Sequence, residues 1–188
     1  MRLPSLFKPA LSLALILLTR SSFAIGPAYA SGTVSPAGVS VVASVQVAAS
    51  PAVLWATLTD YNRLQLFIPD MQLSRVISAP GQPPVVEQRS DAGMFALVVP
   101  EHVTLSMVET PPGSIRFRAI SGAVASLTGE WLISEQDHIT LLNYHVHMMP
   151  LLPVLITLPS GIVEREVKLH MEAIAGEAER RMRAVAKR

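Results

Sequence analysis

The residues whose side chains could most readily take part in chemistry lie together on one predicted strand. Tyr144 is followed by His145 and His147, and the two histidines are two positions apart, so their rings point to the same side and could share a metal ion. That side is the one we assign to solvent. The other histidines have no spacing that completes a ligand set, and they are His102, His138 and His170. The sequence therefore predicts no metal site.

The rest of the chain lacks the patterns of known catalytic centres. It contains no cysteine, which excludes disulfides, thiol catalysis and zinc–thiolate sites. Serine and histidine are present without a nucleophile elbow, a phosphate loop or the spacing of a metal hydrolase. Arg116 and Arg118 alternate along one predicted strand, and we interpret them as its solvated face. The sequence therefore predicts no catalytic residue and no cofactor.

Composition places the chain among globular proteins. Hydrophobic residues make up 50% of the 188 residues and charged residues 15%, which excludes a disordered tail protein. The formal net charge is +1, but Arg2, Lys8 and Arg20 lie in the first thirty residues, where there is no acid. Without that segment, 12 of the 15 basic residues remain against all 14 acidic ones, a net charge of −2. We therefore expect no nucleic-acid partner.

Residues 1–30 have the organisation of a secretory signal peptide. Basic residues precede an apolar run from Ala10 to Leu18, which is too short for a bilayer that takes about 20 residues. Cleavage after Ala30 is the favoured prediction and gives a periplasmic or secreted protein. Cleavage after Ala24 and an uncleaved inner-membrane tether are the alternatives. Residues 31–38 are expected to form a flexible, turn-rich lead-in to a single domain at 39–187.

A long amphipathic helix from Ser160 to Lys187 organises the domain. Ser160 is expected to cap its start, and basic residues crowd its end, as the helix dipole prefers. Its apolar residues recur at steps of three and four and are Val163, Val167, Met171, Ile174, Ala178, Met182 and Val185. Such a stripe needs an apolar partner surface, which the strands before it supply.

Alternating apolar residues predict those strands. The first spans residues 40–48 with one buried side, and Ser50-Pro51 then caps a short helix, Ala52 to Leu58, before a second helical turn from Asp60. Six strand-like runs follow from Met71 to Met149, with separations too short for parallel crossovers. The predicted fold is α+β in the order β-α-α-β6-α: a curved, seven-stranded antiparallel sheet wrapped around the long C-terminal helix.

Several motifs carry a family resemblance. They are residues 50–64 (SPAVLWATLTDYNRL), Phe67-Ile68-Pro69, Ser74-Arg75-Val76, Gly129-Glu130-Trp131 and Tyr144-His145-Val146. In these motifs and in the order of its elements, the chain resembles the START/Bet v1-like (SRPBCC) superfamily from about Val39 to Arg183. Within it, the chain is similar to the polyketide cyclase/dehydrase group, which includes the coenzyme Q-binding proteins.

The resemblance implies a helix-grip fold with a hydrophobic cavity between the sheet and the terminal helix. Such cavities bind lipids, quinones, sterols or polyketides, and some members of the group are cyclases. The quinone-binding relatives work inside mitochondria or the bacterial cytoplasm, so the predicted export signal argues against a role with respiratory quinones.

Strand parity and the helix stripe select the residues expected to contact a ligand. They are Phe67, Phe95, Leu97, Phe117, Trp131, Tyr144, Met171 and Ile174. Each could equally fill a solid core, because pocket walls are as apolar as cores. Tyr144 is the most informative, because a buried phenol needs a hydrogen-bond partner that a ligand carbonyl or hydroxyl could supply.

The segment from Met148 to Pro159 is nearly all apolar and contains three prolines. It joins the last predicted strand to the long helix. One interpretation is a buried connector. The other is an apolar lip that admits a lipophilic ligand or makes transient contact with a membrane surface.

Three functions remain open at this stage. The leading hypothesis is an exported, non-catalytic protein that holds a lipophilic small molecule such as a lipid, quinone or polyketide-like compound. The second is a cyclase/aromatase-type enzyme; two or more ionisable groups with shifted pKa in the cavity would rank it first. The third is a membrane-tethered domain that binds a partner.

Overall fold

The computed structural model describes residues 26–91, 100–151 and 161–187. It has one antiparallel sheet and a long C-terminal helix, which confirms the predicted α+β helix-grip fold. The strands are β1 (Tyr29–Ser35), β2 (Gly38–Val47), β3 (Met71–Val76), β4 (Val85–Ser90), β5 (His102–Thr110), β6 (Ser114–Gly122), β7 (Ser126–Gln136) and β8 (Ile139–Met149). Across the sheet their order is β1-β2-β8-β7-β6-β5-β4-β3.

The first strand corrects the predicted organisation of the N-terminal region. Residues 31–38 are expected to be a flexible lead-in, and the sheet is expected to have seven strands. Instead, β1 pairs with β2 from Tyr29↔Ser44 to Ser35↔Gly38 and becomes the eighth strand. Ala28 and Ala30 are buried. Small residues that suggested a turn-rich segment therefore lie in an edge strand.

The strand parity predicted for β2 is confirmed. Every second side chain from Val39 to Val47 is buried, and those between them are partly or fully exposed. The turn between β7 and β8 has two central residues, Asp137 and His138, with φ of 51° and 64°. Two residues with positive φ match the twist of the flanking strands, so the hairpin closes without a longer loop.

Two short helices follow β2. Helix α1 spans Pro51–Leu58, and the Ser50 hydroxyl accepts a hydrogen bond from the Val53 amide at 3.4 Å, as the predicted cap requires. A 3-10 helix then spans Tyr61–Leu66 after Asp60. Leu54, Leu58, Tyr61 and Leu64 from these two helices are buried, which closes one end of the core.

Helix α2 spans Ile162–Val185, with Gly161 as its N-cap instead of the predicted Ser160, which lies outside the described residues. The middle of the predicted stripe is buried at Met171, Ile174 and Ala178. Met182 and Val185 are 37% and 64% exposed, so the stripe prediction is wrong for the last turns, where the helix extends beyond its partner surface. No helix within the described ranges is long and apolar enough to cross a membrane.

Helix α2 is attached along one side of the sheet. Its Glu164 accepts a hydrogen bond from the Gly32 amide at 3.2 Å, and its Glu172 accepts one from the Ala28 amide at 3.3 Å. Both amides belong to the region of β1, which is the edge strand of the sheet within the described residues, so its outer N–H groups can bond side chains. These contacts fasten the helix to the β1 edge and leave its other side facing the middle of the sheet.

Candidate ligand-binding site

A cavity of about 220 Å³ lies between the inner face of the sheet and helix α2. Its wall draws on strands β2 to β8, on the two short helices and on α2. Most of the lining side chains are apolar, including Val39, Val41, Leu58, Leu64, Ile68, Met71, Val103, Leu105, Met107, Ile115, Val146, Val163 and Val167. An apolar molecule held there would be largely withdrawn from water, which is the main source of its affinity.

Three aromatic side chains form part of the wall. The ring centroids of Trp131 and Tyr144 are 4.1 Å apart, and those of Phe117 and Tyr144 are 6.1 Å apart with nearly parallel planes. Gly129 pairs with Phe117 across β6 and β7, and a Cβ at this position would collide with the Phe117 ring and the carbonyl of His145. The absence of a side chain at Gly129 therefore allows the Phe117 ring to lie flat against the sheet.

The Tyr144 hydroxyl is the most prominent polar group in the middle of the sheet. Burial raises the pKa of this phenol, so it stays protonated and available as a hydrogen-bond donor. Within the part of the chain that the structure describes, no side chain or backbone group hydrogen-bonds this hydroxyl. A bound molecule with an accepting oxygen would satisfy it.

One end of the cavity is polar. Gln88 and Ser90 reach it from the inner face of β4, and Glu166 and His170 reach it from α2. Glu166 and His170 are four positions apart, so they lie one turn apart on the same side of the helix. Burial lowers the pKa of His170 below its ordinary value of 6.5, although Glu166, Asp70 and the carbonyl of Pro69 act in the opposite direction. His170 is therefore a neutral imidazole at neutral pH.

A second polar group of the lining, the Tyr61 hydroxyl, already has a hydrogen-bond partner within the protein. The Tyr61 hydroxyl donates a hydrogen bond of 2.6 Å to Glu109, whose position on β5 is on the inner side of the sheet. Burial, and then the hydrogen bond to Glu109, raise the pKa of Tyr61. The pair closes this part of the wall and leaves the end at Glu166 and His170 as the polar region open to a ligand.

The structure brings four of the predicted ligand contacts to the cavity, and these are Phe117, Trp131, Tyr144 and Ile174. Met171 is completely buried and belongs to the solid core, not to the cavity wall. Phe67 is also outside the wall and lies 5.9 Å from the guanidinium of Arg181. Phe95 and Leu97 lie outside the described residues.

Sequence reasoning missed the polar end of the cavity. The signal was present on α2, because positions 163, 166, 167, 170, 171 and 174 form one continuous helical face that includes Glu166 and His170. A search for apolar residues alone passes over both. On β4, Gln88 and Ser90 follow Val86 at every second position, but only the buried Val86 marks the inner side.

The two histidines of β8 lie outside the cavity. The side chain of His145 is exposed on the outer face of the sheet, and His147 bonds the Ser40 hydroxyl on β2 through Nδ1 at 2.9 Å. Among residues 26–91, 100–151 and 161–187, no group of three or more potential ligands is arranged to hold a metal ion.

Several solved structures share this architecture. The Zhui aromatase/cyclase from a Streptomyces species is 24% identical, with a TM-score of 0.65 over 78% of this chain and 96% of that one. A START superfamily protein from Mycobacterium smegmatis is 15% identical, with a TM-score of 0.58 over 78% and 98% of the two chains. A STAR-related lipid transfer protein from Xanthomonas axonopodis is 15% identical, with a TM-score of 0.57 over 80% and 92%. At these identities, the likeness establishes the fold alone.

The amino-acid sequence itself supplies the family. None of the curated proteins matches it. The family described as "Polyketide cyclase / dehydrase and lipid transport" matches residues 47–175, from the end of β2 to the middle of α2. Since this match spans well over half of the 188 residues, the chain belongs to the polyketide cyclase/dehydrase and lipid transport family.

Proposed function

We propose that this chain is an exported binding protein that holds a lipophilic small molecule between the sheet and α2. The observation that carries the proposal is an unfilled, mostly apolar cavity of about 220 Å³ in the centre of a domain that otherwise packs its interior. Interiors are normally close-packed, and a void this large costs stability that side chains could have supplied. Family membership supports the same function.

The dimensions and the wall of the cavity favour a compact ligand with rings. Drug-sized sites typically enclose roughly 300 to 1,000 Å³, so a cavity of about 220 Å³ is small for a sterol or a long acyl chain. The faces of Trp131, Tyr144 and Phe117 lie close together and suit a flat, unsaturated molecule. Of the three proposed ligand classes, these features favour a quinone or a polyketide-like compound over a lipid.

Two measurements on the purified protein test the proposal. Organic extraction followed by mass spectrometry should release a lipophilic compound in near-stoichiometric amount. After extraction, the uncharged dye N-phenyl-naphthylamine should bind saturably and accept excitation energy from Trp131 at the cavity wall. The Trp131→Phe variant should show less transfer than the Trp55→Phe variant, because Trp131 lines the cavity and Trp55 does not. If no compound is extracted and the dye also does not bind saturably, the proposal is overturned.

A second candidate function is catalysis of the cyclase/dehydrase type. Three ionisable groups with shifted pKa line the cavity, and they are Tyr61, Tyr144 and His170. Both tyrosines shift away from neutral pH, which makes them poorer proton donors. His170 is neutral and can accept a proton from a carbon adjacent to a carbonyl, but its lowered pKa makes it a weaker base than an ordinary histidine. The number of shifted groups thus meets the criterion set for the enzyme, but each pKa moves away from neutral pH, so the groups are poorly suited to exchange protons and binding still ranks first.

Deuterium exchange separates the two candidates. In heavy water, the protein should exchange the hydrogens next to the carbonyl of acetylnaphthalene no faster than buffer if it only binds. The enzyme is favoured if the protein speeds this exchange well above the buffer rate. The His170→Gln variant should then lose the faster exchange and still bind the dye.

Export is part of the proposal and is supported by the pattern of residues 1–30. Pairing of Tyr29 and Ala30 with β2 favours cleavage after Ala24, because cleavage after Ala30 would remove part of β1. Mass spectrometry of the periplasmic fraction gives the mature N-terminus directly. Retention of residues 1–30 in the membrane fraction would favour the tethered alternative.

Membrane contact near the end of β8 is the last part of the proposal. Met149 and Leu151 are 41% and 61% exposed, whereas Met148 lines the cavity; residues 152–159 lie outside the described residues. Co-sedimentation with neutral phosphatidylcholine vesicles, compared between the unmodified protein and Leu151→Ser, tests this contact. Equal sedimentation of the two would count against it.

A further inference from the structure

The lining of the cavity contains one acidic side chain, Glu166. Among the described residues that line it, Glu166 is the only carboxylate, and there is no lysine or arginine. Segments 92–99 and 152–160, which lie outside the described residues, contain no basic residue either. A carboxylate or phosphate on a ligand would therefore enter a partly buried site without a cation to compensate it.

The groups around Glu166 reinforce this polarity. His170 follows it one turn later on α2 and is uncharged at neutral pH. Asp70 and the carbonyl of Pro69 act on His170 from the segment before β3, and both carry negative charge or partial charge. Gln88 and Ser90 on the facing strand are neutral and can donate or accept. Nothing described at this end supplies a positive charge to an anion.

We infer that the end of the cavity formed by Glu166, His170, Gln88 and Ser90 selects ligands whose polar group is an uncharged or cationic hydrogen-bond donor, such as a hydroxyl, a phenol or an amine, and rejects carboxylates and phosphates. This inference rests on the proposed binding function and specifies its ligand class. A donor group satisfies the Glu166 carboxylate, while the Tyr144 hydroxyl remains available for an accepting oxygen elsewhere on the ligand. Free fatty acids and phospholipids are excluded as ligands.

Four probes with the same ring system test the selectivity. They are naphthalene methanol, naphthylmethylammonium, methylnaphthalene and naphthoate, each substituted at the same ring position. Their affinities are measured by calorimetry and by displacement of N-phenyl-naphthylamine at neutral pH. We expect the alcohol and the ammonium to bind more tightly than the methyl compound. Naphthoate should bind at least about tenfold more weakly than the alcohol, because its charge meets Glu166 in a partly buried site.

A charge-matched pair of variants isolates the role of Glu166. Glu166→Gln removes the charge from the cavity, and Glu164→Gln removes the same charge from the same helix at a residue that bonds Gly32 outside the lining. Glu166→Gln should reduce the discrimination between alcohol and carboxylate to about threefold or less and weaken the ammonium probe. Glu164→Gln should leave both ratios unchanged. Thermal unfolding of each variant verifies that it is folded.

The outcomes separate this inference from the binding function itself. If naphthoate binds as tightly as the alcohol, or if Glu166→Gln leaves the ratio unchanged, the inference is overturned while the binding function stands. If Glu164→Gln changes the ratio as much as Glu166→Gln, the selectivity belongs to the general field of the helix and the assignment to the cavity is overturned. If none of the four probes binds, the proposed function and the inference both fail.

Discussion

At the scale of single residues, His170 links the cavity to acid stability. Its pKa is lowered in the folded protein, so the unfolded chain binds more protons on this side chain whenever the pH lies between the folded pKa and about 6.5. Stability therefore falls as the pH falls below about 6.5 through the folded pKa. We expect His170→Gln to lose less stability than the unmodified protein between about pH 7.5 and pH 5.

Chemical unfolding at the two pH values measures this difference. His138→Asn is the control, because the side chain of His138 is 99% exposed in the turn between β7 and β8, and asparagine tolerates its positive φ. It should keep the full pH dependence of the unmodified protein. Parallel pH profiles for His170→Gln and the unmodified protein would show that His170 contributes nothing to acid sensitivity.

Two glycines give opposite predictions at the same scale. Gly129→Ala should destabilise the domain by about 1 to 3 kcal/mol, because the new methyl group collides with the Phe117 ring and the backbone at residue 145. Gly176→Ala should stabilise it by about 1 kcal/mol, because Gly176 lies within α2 with open space around it. Urea unfolding compares the two. No effect of Gly129→Ala would contradict the packing described for β6 and β7, and a loss for Gly176→Ala would contradict the open space described around that residue of α2.

The residue scale also shows what pattern reading can and cannot supply. Phe117, Trp131, Tyr144 and Ile174 were predictable, since parity and helical spacing give the direction of a side chain. Met171 belongs to the same stripe and is nevertheless solid core, although His170 and Ile174 on either side of it line the cavity. The direction of a side chain follows from its spacing in the sequence. The boundary between cavity wall and solid core depends on how strands distant in the sequence pack.

At the scale of elements, β1 is the part of the fold that the sequence concealed. Its residues are small and resemble a loop, and its outer amides near Ala28 and Gly32 depend on carboxylates of α2 more than 130 positions later in the chain. Propensity within a short window cannot register such acceptors. The regular strands β2 and β5 to β8 were predictable because each carries its own alternation.

Removal of the first part of β1 should therefore weaken the domain. A variant that begins at Ser31 lacks the buried Ala28 and Ala30 and the pairings Tyr29↔Ser44 and Ala30↔Ala43. We expect it to be less stable than a variant that begins at Ile25 by about 2 to 4 kcal/mol, from lost apolar burial and lost hydrogen bonds. Denaturant unfolding of the two proteins measures the difference. Equal stability would restore the predicted flexible lead-in and cleavage after Ala30.

At the scale of the whole molecule, helix α2 both lines the cavity and is bonded to the elements around it. The β1 edge and α1 hold α2 through Glu164, Glu172 and Arg181, the last of which bonds Asp60 at 2.9 Å. The cavity is lined by the face of α2 that carries Val163, Val167 and Ile174. These bonds keep the helix in place above the space. We therefore expect the domain to fold without a ligand and to become more stable when a ligand binds.

That reasoning gives a prediction for ligand-dependent stability. Naphthalene methanol at about a hundredfold excess over its Kd should stabilise the protein by about 2.7 kcal/mol, which corresponds to a rise in Tm of roughly 5 to 10 °C for a domain of this size. Val146→Phe should abolish the rise, because Val146 lines the cavity and the larger ring occupies it. Val42→Phe is the matched control on the neighbouring strand, since Val42 is 49% exposed on the outer face of β2. It should keep the full rise. Retention of the rise in Val146→Phe, with both variants folded, would mean that the ligand binds elsewhere and that the space beneath α2 is not the binding site.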